Sequence, residues 1–252
     1  MRNKMMNDVN ITQINEKLQL YQLKNGLTFG TDAYLLYAYM NKHTRDTACD
    51  FGSGTGVISL LSAAKGKYSK IYACEIQEEF CDLIQKNVEI NNLSSIIEAR
   101  RCDVCLVPAD YFSKQVDVVF ANPPYMKTDN GKANTLDIKN IARHEVCGTI
   151  YDFCLSASRV LRHGGYFYCV YRPDRLADLM DAMRKSALEP KRMTFVHARS
   201  ELEPCLVLVK AKKGAGVSVR ITKPLIMYNS DSSYTDDLNY IYDNGEFDEA
   251  YR

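Results

Sequence analysis

The chain has 252 residues, 46% of them hydrophobic, and a net charge of +1. This length allows a substantial buried core, and the composition excludes a disordered chain. Nine cysteines, most of them single within apolar stretches, argue against a disulfide-stapled secreted domain and predict a reducing compartment. The polar first residues lack the apolar stretch of a signal peptide, and no uncharged apolar run could span a bilayer, so we expect a cytoplasmic protein without membrane contact.

Charge and cysteine spacing narrow the set of partners. Residues 230–252 hold seven acids and one arginine, a net charge of −6, so residues 1–229 carry +7. A basic body with an acidic tail is compatible with a nucleic-acid partner, although a solvated surface explains it nearly as well.

Cys102 and Cys105 form one C-x-x-C pair, but no second pair or histidine cluster accompanies them, so we expect no metal site.

The first 44 residues predict a hairpin followed by a helix. Residues 1–17 are polar and are expected to be frayed or a short cap. Two apolar segments flank Asn25-Gly26, the strongest short hairpin signal, which predicts a hairpin over residues 18–29. Thr31 and Asp32 can cap the helix that follows, and this places both residues at a helix N-terminus just before the first core strand.

A glycine-rich turn follows the first core strand, which we predict over residues 47–51. Asp50 lies at the end of this strand, and Gly52, Gly54 and Gly56 alternate after it before a helix begins. Such a sharp strand-to-helix turn lets a ligand sit against bare backbone N–H groups. The loop reads G-x-G-x-G rather than the G-x-G-x-x-G of dinucleotide-binding enzymes, so it better fits a ligand that joins a nucleoside to an amino acid than a pyrophosphate.

Acidic residues also end the next two predicted strands. Glu75 closes the strand 70–74, 19 residues after the last glycine of the turn, where a carboxylate can accept both hydroxyls of a ribose. The alternative for Glu75 is an exposed strand-end acid. Asp103 closes the strand 95–102 and can accept from the N6 amino group of an adenine beside Val104. Three successive strands thus end in an acid.

The strand predicted over residues 116–121 ends at Asn122-Pro123-Pro124-Tyr125. Two prolines cannot continue a strand ladder, so Asn122 is held at the strand end with its amide directed outward. Asn122 and the Pro123 backbone offer two carbonyl oxygens to the N–H bonds of a planar amino group, while the Tyr125 ring stacks on its plane. This pattern suits an exocyclic NH2 presented for alkylation. Taken alone, the same four residues could equally be a rigid turn after a core strand.

The rest of the chain continues the alternation of strands and helices. Residues 126–142 form a polar, glycine-containing insertion that we predict to be a mobile lid. His144 follows it, either as a proton acceptor or as a surface or capping histidine. The remaining predicted elements are helices over 150–162 and 173–187 and strands over 166–170, 192–197 and 205–210, which bring the strands to seven.

These motifs in this order carry a family resemblance. D-x-G-x-G-x-G, then Glu, then Asp, then Asn-Pro-Pro-Tyr resembles the class I S-adenosylmethionine-dependent methyltransferases, in the branch that methylates amino groups. More closely, nearly the whole chain is similar to the bacterial tRNA1(Val) adenine-37 N6-methyltransferase family. The segments that carry this finer resemblance are NGLTFGTD at 25–32, ARHE at 142–145, LEPKR at 188–192 and PLIMY at 224–228.

The resemblance implies an α/β, Rossmann-like fold. Its sheet would be seven-stranded and mostly parallel, with strand order 3-2-1-4-5-7-6 and strand seven antiparallel. It also divides the chain into an N-terminal hairpin and helix cap (1–44), an S-adenosylmethionine-dependent methyltransferase domain (45–223) and an acidic C-terminal tail (224–252).

The resemblance further implies roles for individual residues. S-adenosylmethionine would be the cofactor and tRNA the partner. Independently of the resemblance, we favour a monomer. Asp50 and the glycine loop would fix the methionine end, Glu75 the ribose and Asp103 the adenine. The full cofactor-binding set is Thr31, Asp32, Asp50, Gly52, Gly54, Gly56, Glu75, Asp103, Val104 and Asn122, and the catalytic set is Asn122, Pro123, Pro124 and Tyr125.

Two other functions stay open. One is a protein-glutamine N5-methyltransferase, although that family has a longer helical domain before the glycine loop than the hairpin and single helix predicted here. The other is a non-catalytic protein that binds the cofactor and RNA, which the intact Asn-Pro-Pro-Tyr motif disfavours.

Overall fold

The computed structural model describes residues 9–15, 18–23, 30–123 and 148–252. Within them the chain folds as an α/β protein around one large sheet, which confirms the predicted fold class. The strands are β1 (Val9–Asn15), β2 (Leu18–Leu23), β3 (Thr47–Phe51), β4 (Lys70–Glu75), β5 (Ile97–Arg101), β6 (Val116–Ala121), β7 (Leu161–Tyr171), β8 (Leu188–His197), β9 (Pro204–Lys213), β10 (Arg220–Ile221) and β11 (Leu225–Ile226). The helices are α1 (Thr31–Tyr39), α2 (Val57–Ala64), α3 (Glu78–Ile90), α4 (Ile150–Val160), α5 (Leu176–Lys185) and α6 (Asp236–Asn244).

The large sheet is mixed but mostly parallel. Its seven longer strands lie in the order β5-β4-β3-β6-β7-β9-β8, and β9 runs antiparallel to both of its neighbours. Counted from β3 as the first strand, this order reads 3-2-1-4-5-7-6. The two-residue strands β10 and β11 each pair in parallel with β8, so the sheet in the described part of the chain has nine strands rather than the predicted seven.

Helices cover both faces of the central strands, which explains why these strands are apolar on both sides. Along β6, Val118 and Phe120 belong to one core cluster, whereas Val119 and Ala121 belong to the other. Residues of α1, α2 and α3 pack in the first cluster, and residues of α4 and α5 pack in the second. None of the helices in the described ranges is long and apolar enough to cross a membrane.

Strand β7 begins earlier than its sequence predicts and contains two glycines. The pair Gly164-Gly165 suggests a break before a strand at 166, yet β7 runs from Leu161 and its pairing with β6 shifts register at this point. A Cβ on Gly165 would lie 2.9 Å from the backbone oxygen of Asp117 on β6. Glycine here therefore allows a close approach between two paired strands rather than ending one of them.

The N-terminal segment is a strand, so the expectation that residues 1–17 are frayed or a short cap is wrong for residues 9–15. β1 pairs antiparallel with β2 in a separate two-stranded sheet. Leu18 and Leu20 of β2 are buried in the main core, and β2 packs beside α3. The hairpin turn predicted at Asn25-Gly26 lies outside the described residues.

The side-chain amides of Asn87 on α3 and of Asn91, which caps the end of this helix, bind β2 to the body of the protein. Asn87 accepts from the Tyr21 backbone N–H at 2.6 Å and donates to the Tyr21 backbone oxygen at 3.1 Å. Asn91 makes the same pair of bonds with Gln19, at 2.9 and 2.7 Å. Two asparagines thus bind β2 in the way a neighbouring strand would.

The C-terminal segment packs against the main core. Leu225, Leu238, Ile241 and Tyr251 are each at most 1% exposed and belong to the same core cluster as α1. The acids of this segment that begin α6 lie in its first turn, where the helix dipole favours negative charge, and Thr235 caps that turn. The predicted acidic tail therefore contains an amphipathic helix that buries its apolar side.

Candidate active site

The predicted strand-end residues meet at one edge of the sheet. Asp50 and Glu75 lie at the carboxyl ends of β3 and β4, Asp103 follows β5, and Asn122 follows β6. These four strands are parallel, so their carboxyl ends share an edge. This edge is where open α/β sheets bind ligands.

The loop between β3 and α2 requires its glycines. Gly52, Gly54 and Gly56 have φ values of 71°, 56° and 81°, in the left-handed region that disfavours other residues. The backbone N–H groups of Gly52 and Ser53 both donate to the Cys74 oxygen at 3.0 Å, which ties the loop to β4. A Cβ on Gly56 would touch Ile84 at 3.2 Å, whereas a Cβ on Gly54 would meet no described atom within 4 Å. Gly54 therefore borders open space.

Glu75 braces the glycine loop. Its Oε2 accepts from the Gly54 backbone N–H at 2.9 Å, and its Oε1 accepts from Gln77 at 3.0 Å. The residue is 5% exposed, so the alternative of an exposed strand-end acid is wrong. Burial raises the pKa of the carboxyl, and the backbone hydrogen bonds from Gln77 and Gly54 oppose that shift. Each carboxylate oxygen keeps a second lone pair for a ribose hydroxyl, so the predicted role is chemically compatible with these bonds.

Asp50 is buried beneath the loop. The hydroxyl of Ser59 on α2 donates to Asp50 Oδ2 at 2.7 Å, and the Ser53 hydroxyl donates to the Asp50 backbone oxygen at 3.0 Å. Burial raises the pKa of Asp50 to about 7, and the bond from Ser59 opposes this shift. Ser59 was not predicted to belong to the site; it is one of two fully buried serines on α2, so the sequence does not single it out.

Asp103 and Val104 begin a single 3-10 turn after β5. Asp103 Oδ1 accepts from the Cys105 backbone N–H at 2.9 Å and so caps the turn Val104–Leu106. Val104 is buried in the core cluster on the α4 side. The carboxylate and the apolar side chain are therefore adjacent at the edge, as the adenine prediction requires.

Asn122 is joined to the first helix. Its Nδ2 donates to Asp32 Oδ2 at 2.8 Å, across 90 positions of sequence. Asp32 Oδ1 accepts from the Ala33 backbone N–H at 2.9 Å. Thr31 is hydrogen-bonded to the side chain of Tyr242 in the C-terminal segment. The family resemblance implied cofactor binding for Thr31 and Asp32, and neither of these contacts was predicted.

Part of the predicted site lies outside the described residues, namely Pro124, Tyr125, His144 and the insertion 126–142. Pro123 is described and buried at the end of β6. In the ranges that the structure describes, no group of three or more His, Cys, Asp or Glu side chains is arranged to hold a metal ion.

The thiols beneath the site are not arranged as reactive groups. Cys49 and Cys74 are buried on neighbouring strands with their Sγ atoms 3.6 Å apart. Burial raises the pKa of Cys49, and the pKa values of Cys74 and Cys102 are also raised. These cysteines are therefore held as neutral thiols, which are poor nucleophiles.

Known proteins resemble this chain in sequence. Residues 24–187 match the family model described as Methyltransferase small domain. A tRNA1(Val) (adenine(37)-N6)-methyltransferase of Phocaeicola vulgatus is 29% identical over 199 residues, covering 78% of this chain and 82% of the relative. The protein of the same name from Dyadobacter fermentans is 24% identical, covering 80% of this chain and 82% of that one.

Solved structures share the fold. A predicted O-methyltransferase from Agrobacterium tumefaciens superposes with a TM-score of 0.70 at 21% identity, over 86% of this chain and 98% of that one. A geranyl diphosphate C-methyltransferase from Streptomyces coelicolor gives a TM-score of 0.51 at 15% identity, over 72% of this chain and 79% of that one.

Proposed function

Because the chain belongs to the methyltransferase small domain family, we propose that it transfers a methyl group from S-adenosylmethionine to the exocyclic N6 amine of an adenosine in tRNA, at position 37 beside the anticodon. The relatives that bear this activity in their names support the choice of tRNA and of the adenosine. The observation that carries the proposal is the register of β3 with β6. Phe51 pairs with Ala121, so Gly52 of the glycine loop and Asn122 directly follow paired residues at the ends of neighbouring strands.

The glycine loop fits the cofactor. The space beside Gly54, which no described side chain fills, allows close approach to backbone N–H groups at the start of α2. We assign Asp50 and the loop to the methionine end, Glu75 to the ribose, and Asp103 with Val104 to the adenine. When bound, S-adenosylmethionine supplies an electrophilic methyl group.

The amine site is built from carbonyl oxygens. Asn122 Oδ1 and the Pro123 backbone oxygen are acceptors for the two N–H bonds of the adenine amine, and the Tyr125 ring is assigned to stack on the flipped base. Flipping a base costs a few kcal/mol, and stacking on an aromatic ring returns roughly 1–3 kcal/mol. Holding the nitrogen in one orientation supplies most of the rate enhancement, so no strong base is required.

The charge of the chain supports an RNA partner. Residues 1–229 carry a net +7, and Lys and Arg contacts to phosphates account for much of the affinity of proteins for nucleic acids. With tRNA as the substrate, we assign the chain to the cytoplasm, and we expect it to act as a monomer.

Methylation of a tRNA transcript tests the proposal. The protein is incubated with isotope-labelled S-adenosylmethionine and tRNA1(Val) transcript, and the digested nucleosides are identified by mass spectrometry. We expect N6-methyladenosine at position 37, and no product from a matched transcript with guanosine there. Methyl transfer to a protein glutamine instead would support the glutamine methyltransferase, and cofactor binding without any transfer would support the non-catalytic alternative.

A further inference from the structure

We propose that Asp32 is a positioning residue that acts through Asn122, by fixing which end of its amide faces the substrate. This rests on the proposed function, because it concerns the same amine site. A carboxylate can only accept hydrogen bonds, whereas an amide has one donating and one accepting end. The 2.8 Å bond from Asn122 Nδ2 to Asp32 Oδ2 therefore sets the NH2 end of the amide toward α1 and the oxygen away from it.

The Asp32 carboxylate is itself held in place. Its Oδ1 accepts from Ala33, so the two oxygens are bound in different directions, one by α1 and one by Asn122. The N-terminus of a helix favours a negative charge. Leu35 and Leu36 of α1 are fully buried in the core cluster that also contains Phe120 of β6, so the helix is packed against this part of the sheet. The orientation of Asn122 is thus set by a packed helix rather than by a surface loop.

Gly30 gives independent support for this role. It is the N-cap of α1, with φ −97° and ψ 174°, an extended conformation that any residue adopts. Its backbone therefore does not require glycine. A Cβ on Gly30 would lie 2.5 Å from Asp32 Oδ1, closer than real contacts allow. The missing side chain makes room for the Asp32 carboxylate in the position where it reaches Asn122.

Loss of the Asp32 carboxylate changes which end of the Asn122 amide faces the substrate. An Asn122 amide without its carboxylate partner can rotate by half a turn and present NH2 to the target amine, which places donor against donor. The competent orientation is then only partly populated, and the rate falls with that population. If Asp32 acts only through Asn122, Asp32 should affect turnover and leave S-adenosylmethionine affinity nearly unchanged. This expectation differs from the cofactor-binding role that the family resemblance implies for Asp32, so cofactor affinity distinguishes the two roles.

Three variants distinguish a role of Asp32 in positioning Asn122 from a role in cofactor binding, namely Asp32→Ala, Gly30→Ala and Asn122→Ala. Single-turnover rates are measured with saturating tRNA and S-adenosylmethionine, and cofactor affinity is measured by calorimetry. We expect Asp32→Ala to lower the rate on the order of 10-fold to 100-fold, which corresponds to a competent amide orientation populated at roughly 10% to 1%, with cofactor affinity within about twofold of the parent. Gly30→Ala keeps every charge and should lower the rate in the same direction. Gly216→Ala is the matched control, because a Cβ there meets no described atom within 4 Å and no left-handed φ is involved.

The double variant tests whether Asp32 acts through Asn122. Once Asn122 is alanine, Asp32→Ala should cause no further loss of rate, since residues that act as a unit are not additive. A further loss in that background, or a loss of cofactor affinity equal to the loss of rate, overturns the proposal.

An NMR measurement that does not depend on enzyme activity tests the role of Asp32 separately from the proposed function. The side-chain NH2 signals of Asn122 are assigned in an NMR spectrum by their loss in Asn122→Ala. They should shift in Asp32→Ala and in Gly30→Ala, and unchanged signals would overturn the role of Asp32 whatever the substrate is. Absence of methyl transfer to tRNA together with these shifts would instead remove the proposed function and leave the Asp32–Asn122 coupling standing.

Discussion

Replacing Gly54 with alanine should separate cofactor binding from folding, because the chain offers a matched control at Gly66. Both glycines are left-handed, with φ values of 56° and 62°, and a Cβ on either would meet no described atom within 4 Å. Alanine at either position therefore costs the same backbone strain, about 1–2 kcal/mol. For a protein of this size, each kcal/mol lowers Tm by roughly 2–4 °C. The two variants should lose similar stability.

The difference between the variants lies in where the new methyl group projects. Gly54 is in the loop braced by Glu75 at the carboxyl edge of the sheet, whereas Gly66 lies in the turn between α2 and β4 at the opposite edge. We expect Gly54→Ala to weaken S-adenosylmethionine binding at least tenfold, which corresponds to about 1.4 kcal/mol. Gly66→Ala should leave it unchanged. Calorimetric titration and thermal denaturation of both variants provide the measurement. Parental affinity in Gly54→Ala would refute the assignment of this space to the cofactor, and equal weakening in both variants would trace the effect to lost stability.

Three further predictions concern pH, the C-terminal segment and RNA. In the folded protein, burial raises the pKa of the Asp50 carboxyl from 3.8 to about 7. Between these two pH values the folded state holds a proton that the unfolded state has lost, so the free energy of unfolding falls as pH rises, by about 1.4 kcal/mol per pH unit. Asp50→Asn should therefore gain stability relative to the parent between pH 4 and 7, and a difference that is independent of pH would mean that Asp50 is ionised when folded. Leu238→Ala should lower the free energy of unfolding, measured by chemical denaturation, by about 2–5 kcal/mol, because this side chain is fully buried. Tyr240→Ala, on the exposed side of the same helix, should lower it by less than about 1 kcal/mol. Equal losses in the two variants would contradict the packing of this segment. Affinity for tRNA should fall steeply as the salt concentration rises, because phosphate contacts release counterions. An affinity that does not depend on salt would show that the basic residues of the chain do not contact the RNA phosphates.

The arrangement of the strand ends could be predicted from the sequence. Apolar runs that stop at Asp50, Glu75 and Asn122 predict buried parallel strands, and the carboxyl ends of such strands share one edge. Neither the family nor any long-range contact is needed for that step.

Contacts between distant parts of the chain could not be predicted in this way. Asp32 at a helix start is compatible with capping, cofactor binding and many other roles, and only the fold places it 2.8 Å from Asn122. β1 was missed for a related reason. Most of its residues are exposed, including Ile11 at 57%, so it buries too little to leave a clear alternating pattern. The C-terminal segment was predicted from its charge, which concealed the spacing of Leu238 and Ile241 on one side of α6.

The Asn87 side chain hydrogen-bonds both to β2 and to the glycine loop. Besides binding Tyr21 in the hairpin, its Nδ2 donates at 3.0 Å to the backbone oxygen of Thr55 in the glycine loop. A two-stranded sheet is marginally stable by itself, so β1 and β2 are expected to detach locally more readily than the strands of the large sheet. Each such opening removes the two Tyr21 bonds that hold the Asn87 amide in the orientation in which it also binds the loop. A ligand that orders the loop should therefore slow solvent exchange of the Tyr21 backbone proton, and hydrogen exchange in the hairpin becomes a remote report on occupancy of the cofactor site.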